Sequence, residues 1–242
     1  MKPEQILMCG RFTLRTPLKD VVELFELSHY SPPQSGEWAR FNIAPSQQIA
    51  AVRLDEQSQR RLDWLRWGLV PSWADDPAIG NQMINARGET VATKPAFREA
   101  FRQRRCLIPA DGFYEWKKEG GVKRPYYIHL QEQRPFAFAG LWERWRRGSE
   151  EIESCTIITT EANELLRPLH NRMPVILDPA EFATWLDPRL SNPEELSELL
   201  RPYPDQHLKL HPVRTLVNSP QFDEPQCIEQ AEPAKRQGSL FE

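Results

Sequence analysis

The sequence predicts a single α+β domain in which an antiparallel, barrel-like β core is surrounded by helices. The chain has 242 residues, a mass of 28.2 kDa and no internal repeat, which is enough for one large domain with a sizeable core. Short strand-like runs outnumber helical ones, and Gly and Pro separate them often enough to favour hairpins over a βαβ series.

The helices are predicted from their start signals. The first begins at Thr16-Pro17, and its apolar positions recur at helical spacing: Val21, Leu24 and Phe25. Two later helix starts combine a capping residue, a proline and an acidic residue: Asp178-Pro179-Ala180-Glu181 and Asn192-Pro193-Glu194-Glu195.

The strands are predicted from apolar runs that turn-forming residues interrupt. Seven such runs lie at residues 49–54, 62–67, 105–108, 126–130, 136–141, 155–159 and 208–217. Beyond about residue 218 the chain is rich in Pro, Gln and Glu with few apolar residues, so residues 218–242 are expected to form a disordered tail.

Composition narrows the classes of function. The net charge is −3, and five acidic and two basic residues after Val217 account for it, so the rest of the chain is about neutral. Any nucleic-acid surface is therefore expected to be a local basic groove whose affinity falls steeply with salt. No apolar run approaches the ~20 residues that cross a bilayer, which predicts a soluble protein with no membrane partner.

The cysteines indicate a reduced cytoplasmic compartment. Four cysteines are scattered along the chain without a Cys-x-x-Cys pair, namely Cys9, Cys106, Cys155 and Cys227. Neither a disulfide framework nor a zinc site is implied, and no other metal or cofactor is expected.

Cys9 is the strongest candidate for chemistry, because it directly follows Met8, which could itself be an initiator. Removal of that Met would give Cys9 a free α-amine beside its thiol, and these groups titrate near ~7.7–8.0 and ~8.5. The amine can condense with an aldehyde to a Schiff base, and the thiolate can then close onto the imine carbon to form a thiazolidine. The alternative is that Cys9 is a small buried hydrophobe in a first strand.

Three further segments have the composition of a reaction site. Residues 84–90 bring together an amide, a guanidinium and a carboxylate in Asn85, Arg87 and Glu89. Glu115 lies among three aromatic residues, a setting that suits a general acid. His170 stands at the end of a predicted helix, two residues from Arg172. Each segment alone is also compatible with a purely structural role, but their combination with a nucleophile favours a site.

The order of these motifs resembles that of the SRAP family, the SOS response-associated peptidase or abasic-site processing proteins. The resemblance covers residues 8 to 217 and rests on ordered motifs: Cys9-Gly10-Arg11-Phe12, Phe41-Asn42-Ile43-Ala44-Pro45, Trp67-Gly68-Leu69-Val70-Pro71-Ser72-Trp73, Asn85-Ala86-Arg87 with Glu89, Gly112-Phe113-Tyr114-Glu115-Trp116 and His170-Asn171-Arg172-Met173-Pro174.

The resemblance implies a DNA-repair function. Family members form a stable thiazolidine between an N-terminal Cys and the ring-opened aldehyde of an abasic site in single-stranded DNA. By this match Cys9 is the nucleophile, Glu115 assists ring opening and proton transfer at the amine, His170 shuttles protons, and Asn85 positions the linkage. The implied DNA contacts are Arg11, Asn42, Pro45, Trp73, Arg87, Trp116 and Arg172, with Trp67 to Trp73 as an apolar segment that stacks on bases.

The two ends of the chain depart from the family pattern and carry expectations of their own. Residues 1–8 form a leader that is expected to be absent from the functional protein, through a start at Met8 or through self-cleavage before Cys9. The tail carries Gln237, Leu240 and Phe241, a spacing that resembles the short peptide with which bacterial repair proteins bind the replication sliding clamp. The expected protein is a cytoplasmic monomer that associates with the nucleoid when bound to DNA.

Other readings remain open at this point. Class II glutamine amidotransferases also begin Met-Cys-Gly, which favours an N-terminal-nucleophile amidohydrolase as one alternative. A thiol protease that uses Cys9, His170 and Glu115 is another. The third is a single-strand-binding or clamp-adaptor module without chemistry.

Overall fold

The computed structural model describes residues 10–33 and 37–231. The strands are Phe12–Leu14 (β1), His29–Tyr30 (β2), Arg40–Ile43 (β3), Gln48–Leu54 (β4), Arg60–Trp67 (β5), Asn85–Arg87 (β6), Arg105–Ala110 (β7), Gly112–Glu119 (β8), Val122–Leu130 (β9), Phe136–Arg147 (β10), Glu150–Glu161 (β11), Arg172–Pro174 (β12), Ile176–Leu177 (β13) and Leu208–Pro212 (β14). The α-helices are Leu18–Leu24 (α1), Gly88–Val91 (α2), Arg98–Gln103 (α3), Phe182–Leu186 (α4) and Pro193–Glu198 (α5). Short 3₁₀ helices lie at Pro77–Gln82, Pro179–Glu181, Asp205–His207, Thr215–Asn218 and Pro225–Cys227.

Five strands close into a barrel, which confirms the predicted core. Around the ring, β11 pairs with β10, β10 with β7, β7 with β4 and β4 with β5, all antiparallel. The ring is closed by a short parallel pairing between β11 and β5, with Ser154 opposite Arg66 and Cys155 opposite Trp67. Closure removes the free edges that an open sheet would leave.

A second sheet of five strands packs against this barrel in the order β14-β9-β8-β1-β3. Aromatic side chains fill the seam: the Phe12 and Phe113 rings each meet the Phe138 ring of β10 edge to face, at centroid distances of 5.8 and 6.0 Å. Phe12, Phe113 and Phe138 are all buried, so the two sheets share one core.

Gly112 allows the β8–β9 hairpin to approach its own cross-strand neighbours closely. A Cβ at this position would lie 2.5 Å from the Tyr127 ring and 2.6 Å from the Ile128 carbonyl oxygen. The Tyr127 hydroxyl in turn lies 2.9 Å from the Thr13 hydroxyl of β1, inside the protein. A glycine is therefore required where β1 and β9 meet across β8.

The predicted helix starts are confirmed. α1 begins directly after Pro17, and its Val21 is buried. Asp178 and Glu181 form a reciprocal capping box that leads into α4. The Asn192 side chain accepts a hydrogen bond from the backbone N–H of Glu194 at the start of α5.

Two sequence-based expectations are wrong in their boundaries. The strand expected over residues 208–217 ends at Pro212, because a 3₁₀ helix follows it. The tail expected to be disordered from residue 218 is ordered as far as residue 231. Within this segment Asp223 accepts hydrogen bonds from the backbone N–H groups of Phe41 and Asn42, and Cys227 is buried. Residues 232–242, with the predicted clamp-binding peptide, lie outside the described residues.

In the described part of the chain, every helix falls short of the length and apolarity that a membrane crossing requires.

Candidate active site

Glu115 lies on β8 beside the start of β1. Its side chain is buried, with 3% of the residue exposed. Phe12 pairs with Phe113 in the antiparallel register of β1 and β8, and the Tyr114 N–H donates to the Arg11 carbonyl at 3.0 Å. Continuing that register by two residues places Gly10 across from Glu115. Cys9 lies outside the described residues, one peptide bond away from Gly10.

Asn85 opens β6, which runs parallel to β11 with Asn85 opposite Ile157. Its position is fixed through the preceding residue, because the Ile84 carbonyl accepts hydrogen bonds from the Ile157 N–H at 3.1 Å and from the Trp67 indole at 2.9 Å. Asn85 is half-buried, so its amide lies at the boundary between the core and the surface.

His170 follows hydrogen-bonded turns rather than the helix that the sequence predicts. Its backbone N–H donates to the Leu166 carbonyl at 3.0 Å, and its Nδ1 accepts the Arg172 backbone N–H at 3.1 Å. In the neutral ring the proton is therefore on Nε2. Burial lowers the pKa of His170 below its usual value, and the nearby Arg172 charge lowers it further.

Arg172 is held by β11 and by α2. Its guanidinium donates to the Thr159 carbonyl at 2.6 Å and pairs with Glu89, and its side chain is 14% exposed. Partial burial acts to raise the pKa of Glu89, but the hydrogen bonds it accepts and the charges of Arg172 and Arg87 together outweigh burial, so the pKa is lowered. Since Arg172 already has these partners, it can offer only part of its guanidinium to a ligand.

The two halves of the site are joined through Trp67. Its ring meets the Phe12 ring edge to face at 5.2 Å, and its indole N–H donates to Ile84, the neighbour of Asn85. Gly68, which follows Trp67, has a φ of +127°, and a Cβ there would lie 2.5 Å from the Gly80 carbonyl oxygen. This part of the sequence motif is therefore structural, because it holds the Trp67 side chain between β1 and β6.

Asn42 lies inside the protein rather than on a surface, and its contact with DNA stays a prediction. The residue is fully buried, and its Nδ2 donates to the carbonyls of Val217, Ser219 and Phe222 at 3.2, 2.9 and 2.7 Å. Its Oδ1 accepts from Arg11 at 2.8 Å. Asn42 thus holds the C-terminal segment against β3.

Arg11 takes part in the same contact. Its guanidinium donates to Asn42 and to the backbone carbonyls of Val217 and Asn218. Burial lowers the pKa of Arg11 despite the nearby Cys227 and Tyr114. These internal acceptors occupy both terminal nitrogens, so a phosphate contact by Arg11 stays a prediction.

The remaining predicted DNA contacts divide by exposure. Trp73 is 58% exposed and Arg87 is exposed, whereas Pro45 and Trp116 are half-buried. The Trp116 indole donates to the Asn218 side chain at 2.8 Å. Trp67, at the other end of the segment that was expected to stack on bases, lies in the core, so only the Trp73 end can meet a ligand.

The described cysteines are unsuited to nucleophilic chemistry. Cys106, Cys155 and Cys227 are buried and unpaired with one another. Burial raises the pKa of Cys106 to about 12 and also raises those of Cys155 and Cys227. Each therefore stays a neutral thiol near pH 7. Over residues 10–33 and 37–231, no group of three His, Cys, Asp or Glu side chains is arranged to hold a metal ion.

Sequence reasoning missed two residues that shape the site. Thr159 accepts from Arg172 through its carbonyl and donates from its hydroxyl to the Ala86 carbonyl at 3.3 Å, so it ties β12 to β6. Asp223 pairs with Arg40 and caps the backbone of β3. Neither residue stands in a recognisable motif, and both act through contacts distant in sequence.

Comparisons with known proteins agree with this architecture. A family model described as SOS response associated peptidase (SRAP) matches residues 8–220. Abasic site processing protein YoqW of Bacillus subtilis (strain 168) is 45% identical over 225 residues, which cover 92% of this chain and 99% of that protein. Abasic site processing protein YoaM of the same organism is 44% identical over 225 residues, 92% of this chain and 98% of its own length.

Solved structures agree as well. The crystal structure of a protein from Bacteroides thetaiotaomicron superposes with a TM-score of 0.71 at 31% identity, over 77% of this chain and 82% of that chain. A phage-related protein from Bordetella bronchiseptica gives a TM-score of 0.66 at 32% identity, over 85% of this chain and 94% of its own.

Proposed function

Because the chain belongs to the SRAP family, we propose that it processes abasic sites in single-stranded DNA by forming a covalent thiazolidine through Cys9. Two relatives whose alignments cover 92% of this chain carry the name abasic site processing protein. The observation that carries the proposal is the strand register of β1 and β8, which when continued to Gly10 puts that residue across from the buried Glu115.

The proposed reaction has two bond-forming steps. The α-amine of Cys9 adds to the ring-opened aldehyde of the abasic site, and loss of one water gives a Schiff base. The Cys9 thiolate then adds to the imine carbon, and the nitrogen takes up a proton to give the thiazolidine. The net change is the union of protein and DNA with release of one water, without an oxidant or a cofactor.

Glu115 is proposed to move protons at the start of this sequence. A carboxyl group beside Gly10 can protonate the ring oxygen as the deoxyribose opens and can then accept a proton from the α-amine. Its burial keeps bulk water from competing for that proton.

His170 and Asn85 are proposed to act on the opposite side of the reacting carbon. The lowered pKa of His170 keeps its ring neutral near pH 7, so the ring can accept a proton and return it during formation and reversal of the Schiff base. Asn85 is proposed to position the linkage through a hydrogen bond from its side chain.

The flanking strand is proposed to bind through the exposed part of the predicted set. Arg87 and Arg172 suit phosphate oxygens, while Trp73, Pro45 and Trp116 offer apolar surfaces for base stacking that tolerates any sequence. For Arg11 and Asn42 the contacts favour a positioning role, since both hold the C-terminal segment.

The chemistry requires a free α-amine, so the functional protein is proposed to begin at Cys9. A start at Met8 followed by Met removal would produce it, as would self-cleavage between Met8 and Cys9. Residues 1–9 lie outside the described residues.

The protein is proposed to act as a monomer in the cytoplasm, bound to the nucleoid while on DNA. Gln237, Leu240 and Phe241, also outside the described residues, are proposed to bind the sliding clamp.

The test is incubation with a single-stranded oligonucleotide that carries one abasic site, followed by denaturing electrophoresis. Protein that begins at Cys9 should give a heat-stable band of protein joined to DNA. An N-terminal-nucleophile amidohydrolase, a thiol protease or a binding module would leave the oligonucleotide free after heating, and that result would overturn the proposal.

Variants separate the proposed roles. Cys9→Ala should abolish the band, whereas Cys9→Ser should give a Schiff base that only borohydride reduction captures. Glu115→Gln and His170→Ala should each slow crosslinking by ~10²–10⁴-fold in single turnovers. Crosslinking at the parent rate in both of these variants would contradict the acid–base roles proposed for Glu115 and His170.

A further inference from the structure

We propose that a basic groove beside the β8–β9 hairpin binds an unpaired nucleotide of the same DNA strand, on one side of the abasic site. The groove has a volume of about 390 Å³ and is lined by Arg124, Pro125, Val213, Arg214, Thr215, Leu216 and Ala231. The inference rests on the proposed function, because it assigns the groove to the flanking DNA of that reaction.

The groove floor shares a sheet face with Trp116, which lies directly opposite Pro125, while Arg124 shares the face of Glu115. In the β8–β9 hairpin, Glu115 lies opposite Tyr126 and Lys117 lies opposite Arg124. Residues two apart on a strand point to the same face, and so do directly opposite residues on neighbouring antiparallel strands. One step of about 6.6 Å along the strand therefore leads from Glu115 to the pair that borders the groove.

Ion-pair geometry supports this assignment of faces. Glu119, two residues beyond Lys117, pairs with Lys117 at 2.8 Å and lies 3.8 Å from Arg124. All three side chains must therefore lie on the face that also carries Glu115. On the other face Tyr114 and Tyr127 pack with Val213, and Trp116 packs against this cluster, which continues into the groove floor.

The far wall of the groove continues the same sheet. The Val213 N–H donates to the Pro125 carbonyl at 3.0 Å, which places Arg214 beside Arg124 at the edge next to β9. Arg214 is exposed and has no ion pair or side-chain hydrogen bond with any residue that the structure describes. The Arg124 side chain is 35% exposed, and its carboxylate neighbour is 3.8 Å away. Both guanidinium groups are thus open to a phosphate.

The floor of the groove is apolar. Pro125 and Val213 are buried, and Leu216 is among the few large apolar side chains exposed in the described parts of the chain. The lining contains two arginines and no carboxylate. An apolar floor between cations fits a nucleotide, whose base is flat and apolar and whose phosphate is anionic.

The position of the groove identifies its occupant as DNA from the reacting strand. Trp116, proposed to stack on a base, is the next residue after Glu115, and its indole is held by Asn218, two residues after Leu216. Trp116 also lies directly opposite Pro125, so a strand whose base stacks on Trp116 has the groove floor as its next neighbour.

The test measures equilibrium binding without covalent chemistry. The probe is a fluorescein-labelled single strand with a tetrahydrofuran abasic analogue, which has no aldehyde. Binding by fluorescence anisotropy is followed against salt concentration for the parent protein and for the Arg124→Ala/Arg214→Ala double variant. Loss of two phosphate contacts should lower the slope of log K against log salt by about 1.4 and weaken binding about tenfold at 0.15 M salt.

Matched variants make the result specific. Arg134→Ala/Arg189→Ala also removes two exposed charges, each paired with an acid on another part of the surface, and should leave the slope at the parent value. Arg124→Lys/Arg214→Lys should restore the slope, because the charges return. Two shortened probes, one without nucleotides 5′ of the analogue and one without nucleotides 3′ of it, identify the flank that the groove binds. Only the probe that lacks this flank should give equal salt slopes for the parent and the Arg124→Ala/Arg214→Ala variant.

An equal slope in the Arg124→Ala/Arg214→Ala variant and in the control would overturn the inference. If the parent protein fails to crosslink a true abasic site while the slope difference persists, the proposed function fails and the groove remains a DNA site. If the parent protein does not bind the probe at all, the inference falls, while the proposed function is decided by crosslinking to the true abasic site.

Discussion

Phe12 and Trp67 meet edge to face at the seam between the two sheets, with ring centroids 5.2 Å apart and ring planes at 72°. Phe12 lies on the strand that starts beside Glu115, and the Trp67 indole donates to Ile84, directly before Asn85. This pair of rings therefore sets the spacing between the two halves of the candidate site, because both side chains are buried and tightly packed.

We expect Trp67→Phe to lower the free energy of unfolding by about 2 kcal/mol. The change removes the indole donor and leaves unfilled volume in a core that cannot relax fully. Urea unfolding measures the effect. Trp73→Phe is the control, since Trp73 is exposed and its change should stay within about 0.5 kcal/mol. Equal stability of the two variants would mean that Trp67 does not hold the seam.

The sequence predicted the barrel well because apolar residues concentrate in β4, β7 and the first half of β10, and alternate with polar residues in β5. It did not predict β8 as a strand, because the residues around Glu115 mix aromatic and charged side chains and were interpreted as a reaction site. The parallel closure between Arg66 and Ser154 was also not predictable, since it joins positions far apart in sequence through backbone atoms alone.

The residue types of the site could be predicted, but the sequence did not show which of these residues bind other parts of the protein instead of a ligand. Arg11 and Asn42 stand in motifs, yet their polar atoms are taken up by the C-terminal segment. That segment itself was expected to be disordered, because its few apolar residues do not reveal that Asp223 caps the backbone of β3. Such contacts depend on the tertiary fold and leave no local pattern.

Asn42→Ala should loosen the C-terminal segment. It removes the amide that donates to three backbone carbonyls of the segment and the acceptor of the Arg11 guanidinium, at a cost of about 1–3 kcal/mol. Hydrogen exchange of the amides over residues 215–228 should therefore accelerate, while the barrel strands keep their protection. Asn81→Ala, at an exposed position, serves as the control. Unchanged exchange over 215–228 would contradict the role given to Asn42.

His170 should titrate below its ordinary pKa of ~6.5. Burial is the larger cause and Arg172 the smaller, so Arg172→Gln should raise the pKa only in part. A depressed pKa means that the folded state disfavours the protonated ring. The stability that neutral His170 contributes is therefore present above the pKa that His170 has in the unfolded state. It is lost as the pH falls through the lower pKa that His170 has in the folded state.

NMR titration of the His170 ring gives that pKa directly, and the crosslinking rate should fall over the same pH range as the ring becomes charged. A midpoint at or above ~6.5 would contradict the assignment of a neutral base at this position.

The clamp contact is tested with a labelled peptide of residues 218–242 and purified sliding clamp. Leu240 and Phe241 are expected to enter an apolar pocket, where burial of two such side chains is worth about 3–6 kcal/mol before ordering costs. Micromolar binding in fluorescence polarisation should be lost in Leu240→Ala/Phe241→Ala. No binding by the parent peptide at high micromolar clamp would remove this partner.

The most direct test of the account is the intact mass of the adduct between native protein and an abasic oligonucleotide. We expect a chain that begins at Cys9, joined to the DNA with a mass one water below the sum of the two. Treatment of the adduct with borohydride before the measurement should leave that mass unchanged, because a thiazolidine has no imine to reduce. An adduct on a chain that retains Met1, or one that gains hydrogen on reduction, would contradict a thiazolidine at Cys9.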